Sequence, residues 1–361
     1  MSRHSDVIVV GAGIIGMLTA RELARAGLTV LLVERGQAGR EASRAAAGVL
    51  SPLYPWQASA PVAALARWSQ DYYPVLSDDL RRASGIDPEW TASGLLCFSP
   101  EEESAARSWA ASSGTAVDML SSEAVRRQEP ALANSARPAV FVPGIAQINI
   151  SKLMRALRET VLNEGIPLRE HMPVTSLLKG EGKILGIRTA TGDFYADHVV
   201  LCCGAWSGEL AAVVGIELPV QPVRGQIIQF EGPPGLLSRM FCEHGRYLLA
   251  RRSGQILVGS TREHVGFDKG VTSAALEELT HAAWDLLPLL KGARPQRQWS
   301  GLRPGSARDI PYIGPCPGMP GLYFNTGHFG NGITQAPAAA RLSADLVLMR
   351  TPSIDPAPFR V

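Results

Sequence analysis

No C-x-x-C pair occurs in this chain, and its five cysteines (Cys97, Cys202, Cys203, Cys242 and Cys316) are odd in number. No His or Cys stands at metal-site spacing. A disulfide framework and a zinc motif are therefore excluded, and reduced, buried thiols in a cytoplasmic protein are expected. An excess of either charge is also missing: 35 basic residues face 33 acidic ones, a net charge of +2. With no basic run interleaved with aromatics, neither a nucleic-acid surface nor an acidic partner is expected. Long apolar runs are absent too. The stretch from Val7 to Ala20 is broken by glycines and followed by charges, too short to span a membrane. A strand beginning at Asp6 leaves no room for a signal peptide.

What the chain does have is length and glycine. Its 361 residues are 46% hydrophobic and include 36 Gly and 26 Pro. That is enough for about two domains with an ample core.

The stretch "DVIVVGAGIIGMLTARELARAGLTVLLVERG" reads in three parts. Val7 to Val10 is a continuous apolar run, as in a strand buried on both faces. Ile14 to Ala26 has helical spacing, with Gly27 as its C-terminal cap. Leu28 to Val33 is a second apolar strand. Between strand and helix lies G-x-G-x-x-G, formed by Gly11, Gly13 and Gly16. The first glycine permits a tight turn, the second a close approach to a pyrophosphate, and the third close packing of helix on strand. The helix N-terminus offers N–H groups and positive dipole charge to phosphates. Glu34, 23 positions after Gly11, can accept the hydroxyls of an adenosine ribose, which favours FAD or NAD over NADP.

After Glu34 the regular βαβ pattern stops. Ser43 is followed by a run of small residues from Ala45 to Gly48, where backbone could lie against a flat ring system; an ordinary short helix capped by Gly48 reads equally well. A later strand, His198 to Cys202, breaks at Gly204. Near the end, "NTGHFGNGIT" places three glycines within six residues, ahead of a helix from Gln335 to Met349 with Pro337 in its first turn. Two helix N-termini, each delivered by a glycine-rich loop, fit a cofactor with two negative regions. FAD has them and NAD does not.

These stretches, with "SRAAAG", "CCGAWS" and "GLRPGSARDIPYIG", resemble the glycine oxidase and D-amino-acid oxidase family of flavoenzymes nearly end to end. "SRAAAG" and "GLRPG…PYIG…GHFGNGI" are most similar to glycine oxidases of the thiamine (thiazole) pathway. The resemblance implies an α/β fold of two domains: a Rossmann-like FAD domain and an antiparallel-sheet substrate domain. The expected FAD domain is discontinuous (1–84, 145–214 and 301–361), and the substrate domain takes 85–144 and 215–300. The implied reaction is oxidative deamination of a small amine by hydride transfer to FAD, with O2 regenerating the cofactor and giving H2O2. The implied partners are thus a small amino acid and O2, with a homo-oligomer left open.

By the same resemblance Gly11, Gly13, Ile14, Ile15, Gly16, Glu34, Arg35, Ala42, Ser43, Arg44, Ala46, Ala47, Gly48 and Val49 contact FAD. Val174 is expected at the adenine, Gly204 and Trp206 at the return strand. His328, Phe329, Gly330, Asn331, Gly332, Ile333 and Thr334 are expected at the flavin pyrimidine. Related sarcosine oxidases attach flavin to a cysteine just after the segment equivalent to "GLRPG"; "SARDIPYIG" has none, so FAD is expected to be non-covalent.

An amino-acid substrate needs a cation for its carboxylate, and a guanidinium holds one with two parallel hydrogen bonds. Arg303 in "GLRPG" is the best candidate and matches the family's carboxylate-binding arginine. Tyr247, at the start of a strand in an expected antiparallel hairpin whose turn is Arg251 to Gly254, can add a hydroxyl. His244, three positions earlier, can face the amine or the pocket mouth. Trp56, Tyr54, Met240 and Arg262 are weaker candidates. One departure stands out: Gly330 occupies a position where some glycine oxidases carry an arginine. Arg303 then works with Tyr247 alone, or Arg262 or Arg246 compensates, and weaker glycine binding or a broader substrate range is expected.

Overall fold

A computed structural model of the chain describes residues 4–132 and 134–361. Two eight-stranded sheets organise it. In the first, five strands run parallel in the spatial order Leu322–Thr326, Gly192–Leu201, His4–Val10, Val30–Val33 and Leu168–Arg169. Tyr312–Pro315 adds an antiparallel edge, and the hairpin Val174–Gly180/Lys183–Thr189 extends from Gly192–Leu201.

Apolar runs without alternation are explained by burial on both faces. Val7 and Val9 point into a layer of helices, Ile14–Arg25, Ala60–Ser84, Ile150–Asn163 and Gly332–Val347. Ile8 and Val10 point the other way, against Leu177, Ile184 and Ile187 of the hairpin. The first strand begins at His4 rather than Asp6, and the second at Val30 rather than Leu28. Gly27 follows the first helix with φ 97°, the left-handed position that its role as a cap requires.

The last helix starts at Gly332, three residues before the expected Gln335. Pro337 is therefore interior, where its missing N–H leaves the carbonyl of Ile333 without a helical donor. The hydroxyl of Tyr73, wholly buried on the long helix Ala60–Ser84, donates to that carbonyl instead. The defect is thus repaired by tertiary contact, and the helix continues to Val347.

The second sheet is antiparallel except for one pair, in the order Arg297–Ser306, Val220–Glu231, Gln255–Gly259, Arg246–Ala250, Met240–Glu243, Leu95–Cys97, Ala139–Val142, Asp118–Leu120. The hairpin expected around Arg251 to Gly254 is present, closed by Gly254 N–H to Arg251 O at 3.0 Å. One face, with Ile228, Phe230, Leu248, Ile256 and Val258, packs on the helix Ser273–Leu286. The opposite face turns Gly225, Ile227, Tyr247, Gly301 and Arg303 toward a cleft between the sheets. The boundary expected at residue 301 falls inside the strand Arg297–Ser306, which pairs along its length with Val220–Gln229. Arg303 therefore stands on the second sheet rather than on the first. Pro304 is tolerated there because this is an edge strand. No helix among the described residues is long and apolar enough to cross a membrane.

Candidate active site

The cleft between the sheets has a volume of about 1210 Å³. At one end stands the N-terminus of the helix Ile14–Arg25. The Ser43 hydroxyl accepts the Ile14 N–H at 3.0 Å, and the first intrahelical bond is Met17 N–H to Gly13 O at 3.0 Å. The N–H groups of Ile15 and Gly16 precede that bond, where a helix presents donors to an anion. Gly11 has φ 100°, and a Cβ on Gly16 would overlap the Gly11 carbonyl oxygen. Gly16 is thus a packing residue and does not line the cleft.

Glu34 is buried, and its two oxygens accept N–H groups of Ala12 and Gly36, both at 2.9 Å. Each oxygen keeps a lone pair for a ribose hydroxyl. Beyond it the Arg35 guanidinium lies 3.5 Å over the Trp206 ring, which in turn stacks on Phe267 at 5.4 Å. Phe267 comes from a segment that leaves the second sheet after Gly259. The same segment carries Lys269, paired with Glu41 at 3.2 Å. Val174 and Gly204 also line this end.

Across the middle, Ala42–Ala45 forms one helical turn, the backbone leaves it at Ala46 (ψ 154°), and Gly48 takes φ 85°. Its carbonyls are tied outward. Ala45 O accepts Trp299 Nε1–H at 3.0 Å, Ala47 O accepts the Arg251 guanidinium, and Val49 O accepts the Thr334 hydroxyl at 3.2 Å. Arg251 is buried and also donates to Gln147 Oε1 at 3.0 Å; burial lowers its pKa to about 10. The stretch is therefore a non-helical wall that bends at Gly48, rather than a helix capped by Gly48. Thr334 supports this wall without lining the cleft, and Arg44 also lies outside the lining.

At the other end Arg303 is partly buried. It donates to Thr261 O at 3.0 Å and Ser260 Oγ at 2.6 Å, with a longer bond to Arg224 O at 3.4 Å. None of these acceptors is charged. Burial lowers its pKa, the nearby Tyr247 hydroxyl opposes this, and Arg262 adds to the lowering by like-charge repulsion. The guanidinium crosses directly over Gly225, where any Cβ would overlap it. Tyr247 shares Ser260 as a hydrogen-bond partner, and burial pushes its phenol above the ordinary range. Gly225, Ser260 and Arg251 were missed in the sequence. A glycine inside the otherwise regular strand "PVRGQIIQF" was the readable signal for Gly225.

His244 does not join this group. It sits in the exposed turn between Met240–Glu243 and Arg246–Ala250, with φ 45°, outside the cleft lining. The two-residue turn forces its side chain away from the wall that Tyr247 faces. Tyr54 lines the cleft, whereas the indole of Trp56 donates to Glu102 at 2.6 Å.

The loop before the last helix closes the cleft. Gly327 (φ 79°) and Phe329 (φ 47°) take the left-handed positions, and Gly330 faces the Arg303 side chain. His328 is buried behind it. Its Nε2 lies 3.0 Å from Asn325 Oδ1 and its Nδ1 3.0 Å from the Gln335 amide. Asn325 Nδ2 already donates to Thr19 and to Ala339 O, so Nε2 must carry the proton. Nδ1 must then accept, and Gln335 Nε2, otherwise unpartnered and buried, is the donor once that amide is turned.

Burial lowers the His328 pKa from 6.5 to about 4, with the Gln335 bond opposing. Because the folded value is depressed, the unfolded chain takes up a proton below pH 6.5 that the folded chain refuses. Stability from the neutral ring is full above that pH and is lost as pH falls toward 4, by about 3 kcal/mol. His328→Gln should therefore show a smaller fall in Tm between pH 6.5 and 4.5 than the unsubstituted protein. Equal falls would remove His328 as the titrating group.

The donor set fits a flavin dinucleotide: N–H groups for a pyrophosphate, a fixed carboxylate for a ribose, and a non-helical backbone wall beside small residues. Together with the parallel sheet these features define a nucleotide-dependent oxidoreductase with its substrate pocket under a second sheet. The family model described as "FAD dependent oxidoreductase" (DAO) matches residues 6–346, and the chain belongs to that family. It is 47% identical over 354 residues to a glycine oxidase of Pseudomonas aeruginosa, covering 98% of this chain and 97% of that one. It is 31% identical to a protein of Nostoc sp. described as "Bifunctional protein ThiO/ThiG", covering 95% of this chain and 52% of that one. The crystal structure of glycine oxidase from Geobacillus kaustophilus superposes with a TM-score of 0.93 at 32% identity, covering 99% and 98% of the two chains.

Proposed function

We propose that the chain is a glycine oxidase, acting also on small amines such as sarcosine and small D-amino acids. The observation that carries the reading is Arg303: a partly buried guanidinium on the cleft wall whose protein acceptors are all neutral. Such a cation holds a carboxylate at one end of a small amine. FAD, when bound, supplies the two-electron chemistry, taking hydride from the α-carbon and passing electrons to O2 as H2O2. The protein residues bind and orient. Tyr247, kept protonated by burial, can donate to the same carboxylate. His328 is locked neutral behind the loop and moves no proton. A substrate bound as the free amine needs no protein base. The imine product is released to water or to thiazole formation, the role that the motif resemblance implies.

A peroxide-coupled screen in aerated buffer, with no added acceptor, tests the reading. Glycine should give H2O2, with sarcosine, N-ethylglycine, D-alanine and D-proline alongside. Reduction of an added quinone without peroxide would point to a dehydrogenase, and a colourless protein to a nucleotide-binding subunit. Acid precipitation should leave the yellow colour in the supernatant. The thiols nearest the cofactor end, Cys202 and Cys203, are held protonated by burial, Cys203 with its pKa raised to about 12, so neither is an effective nucleophile toward a flavin.

A further inference from the structure

Glycine needs one cation, yet the substrate end of the cleft presents a second. Four arginines line this end: Arg246, Arg262, Arg303 and Arg308. Arg246 is engaged by Ser260 O and by Glu278. Arg308 donates to Arg360 O at 2.9 Å and lies over the Tyr312 ring. Arg262 is held differently. Its neighbours Thr261 and Glu263 turn their side chains toward Gln226 and Arg224. Strand-like alternation sends Arg262 the opposite way, where its guanidinium lies 4.4 Å over the face of Phe329.

The ion pair that Arg262 makes is with Asp309, at 4.0 Å, and both side chains are more than half exposed. A surface pair of that length contributes little and exchanges readily. Next to Phe329 is Gly330, where a Cβ would meet only the Arg303 side chain, at 4.0 Å. Arg262 is close enough to Arg303 to lower its pKa by like-charge repulsion. One cation therefore stands on the cleft wall and a second at the rim, and Gly330 adds no side chain beside them.

We infer that Arg262 is a specificity-determining residue for small amines that carry a second carboxylate. One carboxylate sits on Arg303 and the other reaches Arg262, as in an N-(carboxymethyl) amino acid. The inference rests on the amine-oxidase reading above. The chemistry is unchanged: one C–H bond α to the amine breaks, two electrons and a proton leave as hydride to bound FAD, and O2 takes the electrons as H2O2. With iminodiacetate, water then adds to the C=N bond and cleaves it. Iminodiacetate, O2 and water give glycine, glyoxylate and H2O2, and all atoms balance.

Two measurements on the FAD-loaded protein test this. The first is the ratio of kcat/KM for iminodiacetate to kcat/KM for sarcosine. Arg262→Met should lower that ratio about tenfold or more, and Arg262→Lys should recover part of it, since a point charge lacks the planar fork. The second uses ligands that cannot be oxidised. Titration of the flavin absorbance should show oxydiacetate binding about tenfold more tightly than methoxyacetate, and the preference should vanish in Arg262→Met. If sarcosine is oxidised but the ratio and the preference are the same in both proteins, Arg262 is not a substrate contact. The same conclusion follows if iminodiacetate is neither substrate nor competitor. If no amine yields peroxide, the underlying oxidase reading fails instead.

Discussion

Arg303→Ala should raise the KM for glycine by about 10²- to 10³-fold while the purified protein stays yellow. Two parallel charge-assisted hydrogen bonds to a carboxylate contribute roughly 1.5–3 kcal/mol each. Losing both removes about 3–6 kcal/mol, of which the lower part is expected because water can solvate the carboxylate at the emptied site, and every 1.4 kcal/mol is tenfold. The cofactor should remain because the guanidinium's protein partners, Thr261, Ser260 and Arg224, all belong to the second sheet and its extension. The substitution also relieves a partly buried charge without a carboxylate partner, so the fold should not suffer. A substrate no longer pinned at one end loses orientation as well, and kcat should fall with it. Arg303→Lys should rescue little, because an ammonium cannot reproduce the fork that spans Thr261 O and Ser260 Oγ. A KM within threefold of the original would place the substrate carboxylate elsewhere.

Gly16→Ala should cost at least about 3 kcal/mol of stability and abolish retention of FAD. Gly16 has ordinary helical backbone, so the cost is not conformational. It arises because a Cβ would coincide with the carbonyl oxygen of Gly11, and both atoms belong to one strand–turn–helix unit that cannot part. For a chain of this size that loss lowers Tm by roughly 4 °C or more. Gly13→Ala is the informative contrast. The nearest atom there is the Ser43 hydroxyl oxygen at 3.2 Å, on a side chain that can turn aside. Its Tm without cofactor should stay near normal while FAD binding weakens. Differential scanning fluorimetry with the 450 nm absorbance of the same samples separates the two. A Gly16→Ala protein with normal Tm and full flavin content would overturn the packing account.

The parts of this molecule that were legible in the sequence are local. Gly11, Gly13, Gly16 and Glu34 lie within one βαβ unit, where turn, helix and buried carboxylate follow in order along the chain. The same holds for the turn at Arg251–Gly254 and for Gly27. What was hidden depends on residues distant in sequence. Arg251 ties down Ala47, and Gly225 makes room for Arg303; neither contact has a local pattern. Pro337 was expected in a first turn because nothing near it announces Tyr73 as a replacement donor. His244 looked close to the substrate because it is three residues from Tyr247. A tight turn reverses direction over that span, and sequence spacing says little about which way a side chain faces there. The strand across residue 301 was hidden for a related reason: Gly301 and Gly305 flank Arg303 within Arg297–Ser306, whose partner Val220–Gln229 lies far away in sequence.

The order of strands in the first sheet has a consequence for how the protein is made. Leu322–Thr326 hydrogen-bonds beside Gly192–Leu201, which hydrogen-bonds beside His4–Val10. The ribosome delivers the turn at Gly11 well before the loop from His328 to Thr334. At synthesis rates of about 5–20 residues per second, these two ends of one cofactor site emerge roughly 15–60 s apart. A nascent chain can offer donors to a pyrophosphate during that interval, but its cleft still lacks the loop that closes the other end. Stable flavin loading should therefore wait until that loop has emerged and the helix Gly332–Val347 has packed against Ile14–Arg25.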